Sequence, residues 1–189
     1  MRRKNVQLWN HLIKELSDFE IQAGWFENST YDGETPIAGI AAIQNCGCTI
    51  TQNVTEKQRA FLHYAGIHLK KSTNELNIVI PARPFMDNAK ARIQGQEGKE
   101  ILMQEMLRVF EGRQTMQQAV NRLKEWAKNI IQEELKAIQS PPLSPLTIKE
   151  RENKYTSKAK KKNPTTSNKP LNSTGLMFAE VQGRAELKK

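Results

Sequence analysis

The segment from Thr115 to Gln139 constrains the fold more than any other part of the chain. Thr115 and Gln118 make a capping box, and Met116, Ala119, Val120, Leu123, Trp126, Ala127, Ile130, Ile131, Leu135 and Ile138 then recur at three- and four-residue spacing. That stripe is wide enough for burial in a globular core. The run is roughly 24 residues, or about 36 Å at 1.5 Å per residue. A helix this long with one apolar face is the spine of the fold, and the rest of the chain must supply what packs on it. The prolines of "SPPLSP", residues 140–145, end it.

Both periodicities occur before the spine. Leu8, Trp9, Leu12, Ile13 and Leu16 predict a helix over 5–17, and the alternation of Phe19, Ile21, Ala23 and Trp25 with polar neighbours predicts a strand. "STYDGE" reads as a turn. Thr35-Pro36 reads as a helix start, with a capping hydroxyl and a proline at the first helical position, and Gly47 as that helix's stop. "TEKQ", 55–58, is a second capping box and predicts a helix to about Ala65. "IHLKK" and "LNIVIP" around "STNE" predict a β-hairpin, whose second strand must stop at Pro81. "FMDNAKARI" and "EGKEILMQEMLRVFEG" predict two further helices, the second stopped by Gly112. The expectation is an α+β (mixed α/β) fold in which a small β-sheet packs against a long C-terminal helix and shorter helices.

Charge separates the chain into a globular domain, 1–139, and a Pro-bounded basic C-terminal arm, 140–189. The formal net charge of the 189 residues is +9. From Ser140 onward there are eleven Lys and Arg against four Asp and Glu, whereas the first 139 residues carry 18 against 16. A basic arm favours an acidic partner, either nucleic acid or an acidic protein surface. "TSKAKKKNPTTSNKP", 156–170, has no apolar residue larger than alanine and is expected to stay partly disordered when free. Within it, Lys158, Lys160, Lys161 and Lys162 could pair with phosphates without reading base sequence. No apolar run approaches the roughly 20 residues of a membrane span, and the N-terminus lacks the apolar region and cleavage site of a secretory signal.

Residues that could carry chemistry are few. Cys46, Cys48, His63 and His68 are the residue types of a zinc site. The one-residue Cys spacing is too short for the usual pattern, however, and ordinary structural roles fit them better. No G-x-S-x-G, G-x-G-x-x-G or G-K-[ST] pattern occurs. Asp18, Glu20 and Glu27 read as carboxylates of a solvated strand face. Neither catalysis nor a cofactor is expected.

"IPARPFMDNA", 80–89, is stiff without any visible chemistry. Pro81 and Pro84 bracket Ala82 and Arg83, and Pro84 pushes Arg83 towards extended backbone. Two readings fit: a structural corner plugged by Phe85 and Met86, or a rigid turn that presents Arg83 to carboxylates of a neighbouring subunit.

Three segments together resemble a known family. "AGIAAIQNCG" resembles the alanine-rich helix ending in Q-x-x-G of tailed-phage neck proteins. "IPARPFMDNA" resembles their IP-x-RPF signature, and "PPLSPLTIKER … KPLNSTGLM" their PLSPxTI and KPL-x-x-TG-x-M/L pattern. The family is that of tail-completion or head–tail joining proteins, also described as minor tail or virion morphogenesis proteins, and the resemblance covers about residues 36–178. It implies a small, non-catalytic subunit that assembles as a ring of six or twelve copies where the tail meets the capsid connector. The implied neighbours are connector, tail-terminator or tail-tube proteins, with genomic DNA passing through the lumen. The implied place is the virion head–tail junction, assembled in the host bacterial cytoplasm. The matching positions are Pro81, Arg83, Pro84, Phe85, Pro142, Leu143, Pro145, Thr147, Ile148, Lys169, Pro170, Leu171, Thr174 and Gly175, implied to serve assembly and folding. Asn172-Ser173 depart from the acidic residue often found there. The rival expectation is a nucleic-acid-binding accessory protein acting through its basic arm.

Overall fold

The computed structural model describes residues 2–31, 33–148, 169–171 and 175–188, with side chains from Asn5 onward. In chain order the elements are α1 (Arg2–Ser17), β1 (Phe19–Gly24), β2 (Thr30–Tyr31), β3 (Thr35–Pro36), α2 (Ile37–Cys46), β4 (Cys48–Asn53), α3 (Glu56–Tyr64), β5 (Glu75–Ile80), α4 (Phe85–Gln94), α5 (Gln96–Phe110), α6 (Met116–Ala137), α7 (Leu176–Ala179) and β6 (Gln182–Leu187). This is an α+β fold with a long helix. The chain divides into two compact units. One is Met1–Ala38, Phe85–Ala137 and Phe178–Lys189; the other is Gly39–Pro84 and Ile138–Met177. This partition differs from a division after residue 139: 39–84 group with 138–177, and the last strand groups with the first unit.

In the first unit α6 is the spine. The Thr115 hydroxyl accepts from the Gln118 N–H and the Gln118 side chain accepts from the Thr115 N–H, and eight positions of the stripe, from Met116 to Leu135, are buried. Trp126 is only half-buried, and Ile138 lies beyond the helix end. Helices α1, α4 and α5 and strands β1 and β6 all pack on α6. Leu12, Met106, Met116 and Val120 form a core cluster flanked by Trp9, Ile21, Phe110 and Ala185. Arg92 of α4 ties three helices together, reaching Glu97 of α5 at 2.9 Å and Glu133 and Glu134 of α6 at 3.0 Å each.

Strand β6 is an element that sequence periodicity did not disclose. "QGRAEL" has one apolar residue inside it besides its terminal leucine, yet it pairs antiparallel with β1 from Phe19↔Leu187 to Gly24↔Gln182. Its approach is pinned where Gln132 Nε2 donates 3.0 Å to the Phe178 carbonyl, and where Arg184 stacks 3.8 Å over Phe26. Val181, just before it, is 2% exposed.

The helix start expected at Thr35-Pro36 is displaced. Thr35 and Pro36 pair instead with Tyr31 and Thr30. The helix begins at Ile37, whose N–H bonds to the Ser29 carbonyl at 2.9 Å.

In the second unit the expected hairpin over 67–80 does not form. β5 pairs with β4, from Cys48↔Ile80 to Asn53↔Glu75. Between them lies α3, capped by Thr55 and Gln58 in the capping box that the sequence predicts. No strand forms over 67–71; the chain there is fastened to Arg59, whose Nη1 donates 2.9 Å to the Lys70 carbonyl and whose Nη2 donates 2.7 Å to that of Thr73 in the segment that follows. The missed strand, "CTITQN", alternates polar and apolar residues too weakly to be read by pattern, although its β-branched content suits a ladder.

Candidate functional site

The second unit is organised around Arg83. Helix α2 ends at Cys46, and Gly47 turns the chain into β4 with φ 71°. Gly47 lies directly against the chain leaving β5: a Cβ there would stand 2.7 Å from the Ala82 nitrogen and 2.8 Å from the Ile80 oxygen. Only glycine combines this left-handed backbone with so close an approach. Pro81 cannot donate to the ladder and ends β5. The Arg83 N–H then bonds to the Gln44 carbonyl at 2.9 Å.

The Arg83 side chain continues the same interlock. Nη1 donates 2.9 Å to Gln44 Oε1 and 3.5 Å to the Pro81 carbonyl, Nε donates 3.1 Å to the Pro141 carbonyl, and Nη2 donates 3.3 Å to that of Pro142. The residue is 4% exposed, and burial holds its pKa below the ordinary guanidinium value. All its bonding partners here are neutral oxygens. A fork of fixed donors suits several carbonyls converging from different segments, which a point-charge lysine would serve poorly. Arg83 is therefore turned into its own unit. The outward-facing reading fails here because its donors are engaged within the chain.

The other expected assembly residues have mixed placements. Phe85 is 0% exposed and sits edge-to-face on Trp25 at 6.0 Å in the first unit, so the division between units falls between Pro84 and Phe85. Pro142 is exposed, and Leu143, Thr147 and Ile148 are half-buried. "PLSPLTI" has a local logic: the Ser144 hydroxyl accepts from the Thr147 N–H at 3.2 Å, and the Ile148 N–H bonds to the Ser144 carbonyl, capping a helical turn at 145–148 with proline at its first position. Lys169 is exposed, Pro170 buried, and Leu171 half-buried with φ 63°. Gly175 has φ 76°. Thr174, Asn172-Ser173 and the four arm lysines, Lys158, Lys160, Lys161 and Lys162, lie outside the described residues.

Gln44 opens the Q-x-x-G segment, but its partnership with Arg83 was not legible in the sequence. It accepts from Arg83 through both side chain and backbone. Its signal was its place at the Q-x-x-G end of α2, three residues before Gly47.

His63 and His68 do meet, with Nδ1 atoms 2.8 Å apart and their rings edge-to-face. Cys46 and Cys48 are free thiols. Among the described residues no group of three or more His, Cys, Asp and Glu could hold a metal ion.

In the first unit a cleft of about 540 Å³ opens between β1, α4, α5 and α6, lined by apolar side chains including Ile21, Met86, Leu102 and Trp126. Its charged lining residues are Asp87 and Lys90, on one face of α4.

No family model, no curated protein and no solved structure matches the chain. None of the described helices is long and apolar enough to cross a membrane.

Proposed function

We propose that this chain is a phage virion structural protein: a tail-completion component of the head–tail neck that assembles as a ring and joins the tail to the capsid connector. The observation that carries the reading is the convergence on Arg83. The Q-x-x-G end of α2, the IP-x-RPF segment and the PP start of the PLSPxTI segment lie far apart in the chain and meet at one buried guanidinium. Three signatures that interlock behave as parts of one folded design rather than as separate coincidences of sequence.

Ring assembly draws support from the β4–β5 ribbon. Among the described residues neither strand has a second neighbour, and an isolated two-stranded ribbon is marginal in water. Natural monomers guard open strand edges with charge or proline. Here "CTITQN" has neither and "ELNIVI" carries only Glu75, while Val79 is 67% exposed and Ile50 42%. Such edges suit pairing with another chain. On this reading the partners are further copies of the chain, six or twelve in a ring, together with connector and tail-terminator or tail-tube proteins. The location is the head–tail junction of the virion.

Electron microscopy of particles from a phage lacking this chain tests the reading. Filled heads and finished tails that fail to join are expected; normal virions would sink it. The mass of the purified protein in solution then reports whether rings form without partners.

A further inference from the structure

Helix α3 carries its aromatic residues on the outside. Lys57, Ala60, Phe61 and Tyr64 fall at i, i+3, i+4 and i+7 and so share one face. All four are exposed, Phe61 by 45% and Tyr64 by 84%. Leu62, on the opposite side, is the buried residue of the helix. Residues at this spacing anchor a helix laid into an apolar groove, and aromatic anchors carry much of the energy of such contacts. Glu56 lies one turn before Ala60 and has no ion pair among the described residues.

The same chain has such a groove. The cleft of about 540 Å³ in the first unit matches the size of clefts that take an apolar ligand, about 300–1,000 Å³. Ala23, Ala89 and Ala127 line it, and small side chains there leave open the space that larger ones would close. Trp126, on the apolar stripe of α6, stays half-buried beside it. Lys90, the cation of its lining, is exposed and likewise has no ion pair among the described residues.

Each surface lacks what the other has. The α3 face has two rings in water and an unpaired carboxylate; the cleft has an unfilled apolar hollow and an unpaired ammonium. The two surfaces belong to different units, so a contact between them from copy to copy is heterologous. Heterologous contacts generate rings when the rotation closes.

We infer that the α3 face of one copy docks in the cleft of the next, with Phe61 and Tyr64 entering the hollow beside Trp126 and Glu56 meeting Lys90. The inference rests on the ring reading and names the two surfaces that make the ring.

Light scattering of the fractionated full chain gives the mass of the assembly. Tyr64→Glu should weaken association about 30-fold or more. Leu102→Glu should do the same from the other side, because it puts a carboxylate into the cleft lining at a residue 39% exposed. Each variant keeps one surface intact. Mixed, the two should form a heterodimer and stop there: the Leu102→Glu copy seats its α3 face in the cleft of the Tyr64→Glu copy, and no third contact is possible. Lys90→Glu, on an exposed residue, replaces Leu102→Glu in the mixture if circular dichroism finds the latter unfolded. Rings of unchanged stability in both variants overturn the inference and leave the ring reading standing, with the ribbon edges as its interface. Failure of two dissociated variants to pair on mixing overturns it as well. So does a wild-type chain that stays monomeric at high concentration, and the head–tail reading then stands or falls by electron microscopy.

Discussion

The Arg83 guanidinium donates 2.9 Å to the side-chain oxygen of Gln44, a residue 39 positions earlier, while its other nitrogens hold the carbonyls of Pro141 and Pro142. A buried cation with neutral partners is stable only when each donor finds an oxygen, since a lost partner leaves a desolvated group behind. Arg83 therefore fastens helix end, strand end and proline segment by geometry rather than by ion pairing.

Arg83→Lys tests that geometry. Lysine keeps the charge but not the fork, so it is expected to cost about 2–3 kcal/mol, with Arg83→Ala at least as damaging. Urea unfolding measures both. Wild-type stability for the lysine variant would mean that charge alone suffices.

Phe85→Ala acts on the other unit. Phe85 is fully buried against Trp25, so the substitution should cost about 3–5 kcal/mol. Hydrogen exchange locates the damage. Faster exchange is expected first in 1–38 and 85–137 for Phe85→Ala, and in 39–84 for Arg83→Ala. Identical exchange maps would contradict the assignment of these neighbours to different units.

Gly47 and Gly112 share φ 71° but not their surroundings. Nothing lies within 4 Å of a Cβ at Gly112, whereas at Gly47 it would meet backbone atoms of Ala82 and Ile80. Gly112→Ala should cost about 1 kcal/mol for the left-handed backbone alone. Gly47→Ala should cost about 2 kcal/mol more, because backbone of the neighbouring strand end must move. Equal melting temperatures for the two variants would refute the close approach.

Ending the chain after Glu180 removes Val181 and β6. The first unit should lose about 3 kcal/mol or more, read as a lower thermal midpoint. Unchanged melting would show that β6 contributes nothing to the unit. A deletion of the whole arm cannot serve as a clean test of DNA binding for the same reason, and lysine substitutions are the sounder choice.

Hydrogen bonding from Arg92, followed by its charge, holds the Glu97 carboxyl below the ordinary glutamate value against the opposing effect of burial. A lowered folded-state pKa contributes stability above the unfolded value, about 4.3, and that stability is lost as pH falls through the folded value. Glu97→Gln should thus cost below about 1 kcal/mol at neutral pH, since the pair is part-exposed, and should flatten the acid limb of the stability profile. An acid limb as steep as the wild type's would remove Glu97 from the account.

Local signals carried most of the helices. Both capping boxes, the stop at Gly112 and the stripe of α6 are decided within a turn or two of the chain, so the linear pattern of Thr115, Gln118 and the apolar positions sufficed. Two strands were legible, β1 by its alternation and β5 by its β-branched run before Pro81, although the partner expected for β5 was the wrong one. β4 and β6 are defined by a partner rather than by their own pattern, and the sequence around Lys70 imitated a strand that does not form, its Lys70 carbonyl being held by Arg59. The stiffness of "IPARPF" was likewise determined by the sequence, because proline restricts its own φ and its neighbour's ψ whatever surrounds them. Which way Arg83 points was decided only by the tertiary structure. The oxygens that hold it come from residues 44, 141 and 142, and no local rule brings those segments together.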